Sequence, residues 1–311
     1  MSKDPDGVVG QTSKIVLSGA SGMLGMALRR RLGELRVPIV QLVRGAPSKD
    51  GQVSWNPEAT PAIADPSALE GCSAAIHLSG ASVAAHRWTA AYRRELTASR
   101  VDSTHALAAI LAGLRKPPQT LVVASAVGIY GDRSDEVLDE TSAPGAGFLA
   151  EVCQEWEEAA SPALDAGMRV VHARFGVVLG RGPGALEKML PVFRLGLGGP
   201  LGSGRQWMSW VSLEDAVAAI LFALETTSLA GAVNVVSPNA VRNAEFTRAL
   251  ARQVHRPAVL PVPAFALRIA LGQMADEALL ASARVVPAEL RSAGFEFARP
   301  TVDEALAAAL G

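Results

Sequence analysis

The sequence predicts an α/β fold: a doubly wound parallel sheet with helices on both faces, then a smaller, mostly helical C-terminal region. Three observations predict it. Short runs rich in β-branched residues alternate with segments of helical spacing from Lys14 to about Gly180. A glycine-rich loop, Gly19 to Gly25, separates the first run from the first helical segment. Beyond Gly180 the composition changes: glycines crowd residues 195–204, and proline recurs at Pro257, Pro261 and Pro263.

Residues 14–18 (KIVLS) suit a buried parallel strand. Leu24, Leu28, Leu32 and Leu35 then recur at helical spacing with Arg29, Arg30 and Arg31 between them, so residues 22–35 read as a helix. Residues 38–43 (PIVQLV) read as the second strand, 52–55 as the third, and 73–79 (SAAIHLS) as the fourth, ending at Gly80. Residues 89–114 read as one long amphipathic helix, closed by Pro117 and Pro118. Residues 120–125 (TLVVAS) form a fifth strand, 147–160 a helix and 169–175 a sixth strand. The remainder reads as helices with one or two short strands.

A chain of 311 residues suits one large domain, or a main domain with a smaller appendage. With 49% apolar and 19% charged residues it can build a substantial core. A net charge of −1 gives no pull toward nucleic acid or an anionic membrane. Apolar stretches stop well short of the ~20 residues of a membrane span. Residues 1–13 are polar and lack the marks of a leader, so they read as a disordered tail on a cytoplasmic protein. Cys72 and Cys153 match no metal spacing, and no His/Cys/Asp/Glu cluster does, so no metal is expected.

The loop Gly19-Ala20-Ser21-Gly22-Met23-Leu24-Gly25 follows a strand and enters a helix, as a Rossmann-type dinucleotide site requires. Gly19 permits the tight turn, Gly22 lets the backbone approach a diphosphate, and Gly25 lets the helix sit close to the sheet. Helix-start amides then face the anion, which makes Gly19, Ser21, Gly22, Met23, Leu24 and Gly25 the expected cofactor contacts. An acidic residue ending the second strand would hold a ribose 2′-hydroxyl; Arg44 stands there instead. A guanidinium suits a 2′-phosphate, so NADP(H) is expected over NAD(H).

The Gly-x-x-Gly-x-x-Gly spacing resembles the extended branch of the short-chain dehydrogenase/reductase superfamily. Further stretches carry that resemblance: His77-Leu78-Ser79-Gly80-Ala81, Ser125 through Tyr130-Gly131-Asp132, and Gly202 through Trp207 followed by Trp210-Val211 and Glu214-Asp215. Arg87-Trp88-Thr89, Ser99-Arg100, Phe148-Leu149-Ala150, Cys153 with Trp156-Glu157, and Pro191 through Pro200 resemble an atypical subgroup, the NAD-dependent epimerase/dehydratase-like or SDR39U1-like epimerase family proteins. Residues 255–297 resemble that subgroup's C-terminal segment of unassigned function. The resemblance spans nearly the whole chain. It implies an NADP-binding Rossmann domain over residues 14–180, a substrate-side region over 181–311, and Leu78, Gly80, Ala81, Ala124 and Arg174 beside the cofactor. Extended-branch relatives often pair through the helices read at 89–114 and 147–160, so a homodimer belongs with a small-molecule substrate among the expected partners.

The superfamily's usual chemistry needs a tyrosine and a lysine four residues apart on one helix, the lysine lowering the phenol pKa. Neither Tyr92 nor Tyr130 has a lysine four residues on, and Gly147 and Glu151 fall where the pair belongs. Val177 fills the slot where sugar-nucleotide enzymes of the branch place an asparagine. Ser125, Tyr130 and Glu151 remain as catalytic candidates, although Glu151 with Glu155, Glu157 and Glu158 also reads as a solvated acidic face. His77 reads as a core histidine. Trp207, Met208 and Trp210 read equally as a pocket wall or as core. Together these features suggest an NADP(H)-binding oxidoreductase-like protein acting on a small carbonyl or alcohol. Two alternatives stand beside it: a non-catalytic cofactor-binding regulatory protein, and an epimerase or dehydratase using the cofactor transiently.

Overall fold

The computed structural model describes residues 14–311; the tail expected over residues 1–13 lies outside them. The chain runs β1 (Ile15–Ser18), α1 (Met23–Glu34), β2 (Ile39–Val43), β3 (Gln52–Ser54), β4 (Ala74–His77), α2 (Ala90–Ala98) and α3 (Val101–Ala112). It continues through β5 (Thr120–Ala126), β6 (Val137–Leu138), α4 (Phe148–Glu158), α5 (Ser161–Asp165), β7 (Arg169–Phe175), β8 (Val177–Leu179) and α6 (Ala185–Arg194). Then come β9 (Trp207–Met208), β10 (Trp210–Ser212), α7 (Leu213–Glu225), β11 (Gly231–Val235), β12 (Val241–Arg242) and α8 (Asn243–Gln253). The chain ends with α9 (Ala264–Leu271), β13 (Arg284–Val285), α10 (Ala288–Ser292) and α11 (Val302–Leu310).

Seven strands form one sheet in the order β11-β7-β5-β4-β1-β2-β3, every pairing parallel. β1 and β4 are buried at every residue, as the short apolar runs IVLS and AAIH require at the centre of a sheet covered on both faces. The chain moves outward from β1 to β2 and β3, then returns to the other flank of β1 with β4 and continues to β5, β7 and β11. The direction of winding therefore reverses between β1 and β4. Such a reversal leaves a crevice at the C-terminal strand ends, because the loops on either side diverge.

α1 and α7 pack together on one face of the sheet, and α3, α4 and α5 cover the other. A second cluster, with Leu186 and Phe193 of α6, Trp210, Phe246 and Leu250 of α8, and Leu306 of α11, forms the core of the C-terminal region.

Two details differ from the sequence reading. The long helix expected over residues 89–114 is two helices, α2 and α3, interrupted at Ser99 and Arg100. There the side chains turn to the loop after β4: Ser99 Oγ accepts from the Ala81 amide, and Arg100 Nη2 donates to the Ala81 carbonyl. The sheet also does not end at β7. α7 and β11 come from beyond Gly180, so the chain leaves for α6 and then returns to complete the main domain. Near this return, Asp215 is buried and accepts from Ser212 Oγ and the Ala298 and Arg299 amides, which ties the C-terminal segment to the head of α7.

His77, at the end of β4, is fully buried. Ser103 gives its hydroxyl proton to the Ser99 carbonyl, so His77 Nε2 donates to Ser103 Oγ and Nδ1 accepts from Ser18 Oγ. Burial pushes the ring down to about 4 from 6.5. The unfolded chain therefore binds the proton more readily in that window. His77 should make stability rise with pH between about 4 and 6.5, by up to about 1.4 kcal/mol per pH unit. Urea unfolding across this range should show a steeper pH slope for the native chain than for His77→Asn; equal slopes would rule out His77 as the source.

Candidate functional site

The glycine loop sits at the reversal point between β1 and β4. Gly19 has φ +70°, and a Cβ there would lie 2.5 Å from the Leu78 carbonyl carbon; a Cβ on Gly25 would lie 2.2 Å from the Gly19 oxygen. Only glycine allows the loop to fold this tightly onto β4 and onto itself. Gly22 is the N-cap of α1 in extended conformation, with no side-chain cap, and the first turn carries no acidic residue. The head of α1 thus presents positive partial charge that no side chain of the helix offsets. This arrangement suits a diphosphate.

The structure brings Gly19, Ser21, Gly22, Met23, Leu24 and Gly25 together at one end of the crevice, with Leu78, Gly80 and Ala81 on the adjoining strand exit. Gly184 lies against the Met23 side chain, so the segment leading into α6 covers the same end. Arg44 follows β2, exposed, on the far flank of β1. Ala124 lies near the end of β5 and is 8% exposed.

Ser125, Tyr130 and Arg174 come together elsewhere. In the parallel register Ser125 lies beside Arg174, and both face α4. Ser125 Oγ donates to Glu157 Oε1 at 2.7 Å. Arg174 donates from Nε and Nη2 to the two Glu157 oxygens, at 2.8 Å each, and from Nη1 to the Tyr130 hydroxyl at 2.9 Å. Tyr130 in turn donates to Asn234 Oδ1 at 2.8 Å. Tyr130 is 0% exposed, and burial raises its phenol pKa.

These contacts revise three readings. Tyr130 has no open path to a substrate, because its hydroxyl is enclosed and bonded on both sides. Arg174 is held by a bidentate carboxylate rather than standing free for the cofactor. Glu157 is no solvated surface acid: its side chain is 14% exposed and closes the pair. Ser125 points beneath the crevice, and its neighbour Ala126 has no hydroxyl to replace it. Glu151 is exposed on the first turn of α4.

Other polar and aromatic side chains around the crevice divide by position. Trp210 is core, its indole N–H donating to the Asn239 carbonyl. Trp207 is half-buried, with the Arg242 and Arg284 guanidiniums 4.2 and 4.5 Å from its ring centre. His86 and Arg87 are exposed on the loop after β4. Lys188 of α6 donates to the Ala84 carbonyl on that loop, bridging the crevice. Both cysteines are buried free thiols. No metal-binding group occurs among the described residues, and no helix among them is long and apolar enough to cross a membrane.

Glu277 is a candidate that spacing did not reveal. Its Oε2 accepts from the Leu149 amide at 2.8 Å, and its Oε1 accepts from Gln273 Nε2 at 2.6 Å. It thereby caps α4, the helix on which the superfamily's tyrosine and lysine would stand. The approach is close: a Cβ on Gly147 would lie 3.1 Å from the carboxyl carbon. Beside it is a cavity of about 260 Å³ lined by Gly128, Asp132, Leu149, Arg268, Asp276 and Glu277, among others. A larger groove, about 960 Å³, lies between α1, α7 and α11, on the opposite side of the sheet from α4. The smaller cavity is the better substrate candidate because it adjoins the β5 exit and the head of α4.

Comparison with known proteins agrees with this fold. Residues 15–236 match the NAD dependent epimerase/dehydratase family, and residues 262–309 match a domain of unknown function, DUF1731. Epimerase family protein Mb2239 of Mycobacterium bovis is 44% identical over 292 residues, covering 94% of this chain and 96% of the relative. Epimerase family protein SDR39U1 of Bos taurus is 36% identical over 298 residues, covering 94% and 98%. A crystal structure of human epimerase family protein SDR39U1 (isoform 2) with NADPH superposes with a TM-score of 0.88 at 30% identity, covering 96% of this chain and 99% of that one. With its Rossmann sheet, its glycine loop at the winding reversal and this extent of similarity, the chain belongs to the NAD dependent epimerase/dehydratase family.

Proposed function

We propose that the chain binds NADP(H) along the C-terminal edge of the sheet and is an oxidoreductase toward a small carbonyl or alcohol, by a route without a tyrosine–lysine pair. The observation that carries this reading is the uncapped head of α1, folded behind Gly19 and Gly25 at the winding reversal. The diphosphate is assigned to the α1 head, the 2′-phosphate to Arg44, and the nicotinamide half to the exits of β4 and β5. The NADPH in the human SDR39U1 structure supports NADP(H) as the ligand. When bound, the cofactor supplies a hydride donor or acceptor; the chain binds and orients it.

Glu277 is the acid–base group assigned to the substrate. Its carboxylate borders the small cavity, and two hydrogen bonds fix it in place. A carboxylate with two accepted bonds keeps lone pairs for a substrate hydroxyl. A second reading, cofactor binding without turnover, draws on the enclosure of Ser125 and Tyr130: neither hydroxyl is offered to the crevice. A screen of carbonyls and alcohols with bound cofactor separates the two readings. Turnover supports the first, and tight binding with none supports the second.

Arg44→Asp replaces a charge-assisted contact with repulsion. It should weaken NADPH at least about 30-fold more than NADH; equal losses, measured by titration of each cofactor, would remove Arg44 from 2′-phosphate recognition. Glu277→Gln keeps an oxygen to accept from the Leu149 amide but cannot exchange a proton. It should retain stability and NADPH affinity while turnover falls by about 100-fold. Glu277→Ala should also lose about 1 kcal/mol of stability with the cap. Unchanged turnover in Glu277→Gln would exclude its acid–base role.

A further inference from the structure

Arg100 stands at the break between α2 and α3, directly beneath the exit of β4. Its Nη2 donates to the Ala81 carbonyl at 2.9 Å, and its Nη1 donates to the Leu96 carbonyl at 3.1 Å. Its guanidinium carbon would lie 3.5 Å from a Cβ on Gly80, so the missing side chain there opens the space that the guanidinium fills. The indole of Trp156 supports the other side, its ring centre 5.1 Å from the guanidinium carbon.

No carboxylate pairs with this cation among the described residues; its close acceptors are neutral carbonyls and the Ser99 hydroxyl. The titratable groups that act on it are the Cys153 thiol and the Tyr92 phenol. Burial pushes Cys153 up to about 12 and also raises Tyr92, so both are uncharged at neutral pH. Glu157, on the same helix as Cys153, is already neutralised by Arg174. Glu277 is held by the Leu149 amide and Gln273. Arginine does not shed its proton to escape burial, so a permanent positive charge remains at this strand exit.

The strand order fixes which part of a dinucleotide meets that charge. Arg44 lies beyond β2 on one side of the glycine loop, and β4 and β5 lie on the other. With the diphosphate at the loop and the 2′-phosphate toward Arg44, the opposite half of the molecule runs over Gly80 and Ala81. The nicotinamide ring is positive when oxidised and neutral when reduced. We infer that Arg100 biases this crevice toward the reduced cofactor, because its unneutralised charge beneath Gly80 and Ala81 repels the NADP⁺ ring and tolerates the NADPH ring. The inference rests on the proposed cofactor site and adds a preference between the two oxidation states. It makes the chain, at rest, a holder of NADPH.

Equilibrium titrations of the full chain with NADPH, NADP⁺ and 2′-phospho-ADP-ribose, which lacks the nicotinamide, test this without a substrate. The native chain should bind NADPH about tenfold or more tightly than NADP⁺. Arg100→Lys, which keeps the charge, should preserve most of that ratio. Arg100→Gln should bring it to within about threefold of unity by strengthening NADP⁺ binding, with 2′-phospho-ADP-ribose unchanged as the control. Equal native affinities for the two oxidation states, or a ratio that Arg100→Gln leaves unchanged, would overturn the inference while leaving the cofactor site standing. Failure of the native chain to bind either form would overturn both. If Arg100→Gln does not fold, the native ratio and its persistence in Arg100→Lys still decide the matter.

Discussion

The head of α1 is the feature on which the site depends. A helix start usually finds a side-chain cap, because its first amides otherwise lack partners. Here the N-cap is Gly22, the first turn has no acid, and Gly19 and Gly25 fold the loop so close to β4 and itself that no Cβ fits. The same close contact places this unneutralised positive end at the one point in the sheet where winding reverses. Loop, helix and crevice are therefore a single construction, and a larger residue at Gly19 or Gly25 would separate them.

A second construction lies underneath. The Arg174–Glu157 pair joins β7 to α4, and its spare bonding capacity reaches Ser125 and Tyr130. Tyr130 extends the chain to Asn234 of β11, and the Asn234 amides extend it to Glu140 and the Val286 carbonyl. Removing one member of a buried pair leaves an uncompensated charge, at a cost of about 3–5 kcal/mol. This network thus locks the edge of the sheet against the C-terminal segment. It uses, for structure, the hydroxyls that the sequence offers for chemistry. The cap that Glu277 places on α4 makes the same connection from the other side, so residues 262–309 contribute to the shape of the site and not only to its surroundings.

The glycine loop and the central strands were legible in the sequence because each depends on neighbours in the chain: a spacing or an apolar run. What was illegible depends on partners far along it. Arg100 breaks a helix because it reaches Ala81, 19 residues away. Glu157 reads as one of several surface acids until Arg174 arrives from β7, 17 residues later. Glu277 meets Leu149 across 128 residues. β11, a short strand opened by a glycine, shows its place only when it pairs with β7. Ser125 was found by motif, but its direction follows from strand alternation and the carboxylate opposite it, neither of which a motif encodes.

The uncapped head of α1 is the proposed seat of the cofactor. A crystal structure of the chain with NADPH tests it most directly. The diphosphate oxygens are expected within hydrogen-bond distance of the backbone amides of Met23 and Leu24, with the nicotinamide half over Gly80 and Ala81. A diphosphate bound elsewhere, as in the groove between α1 and α7, would contradict it.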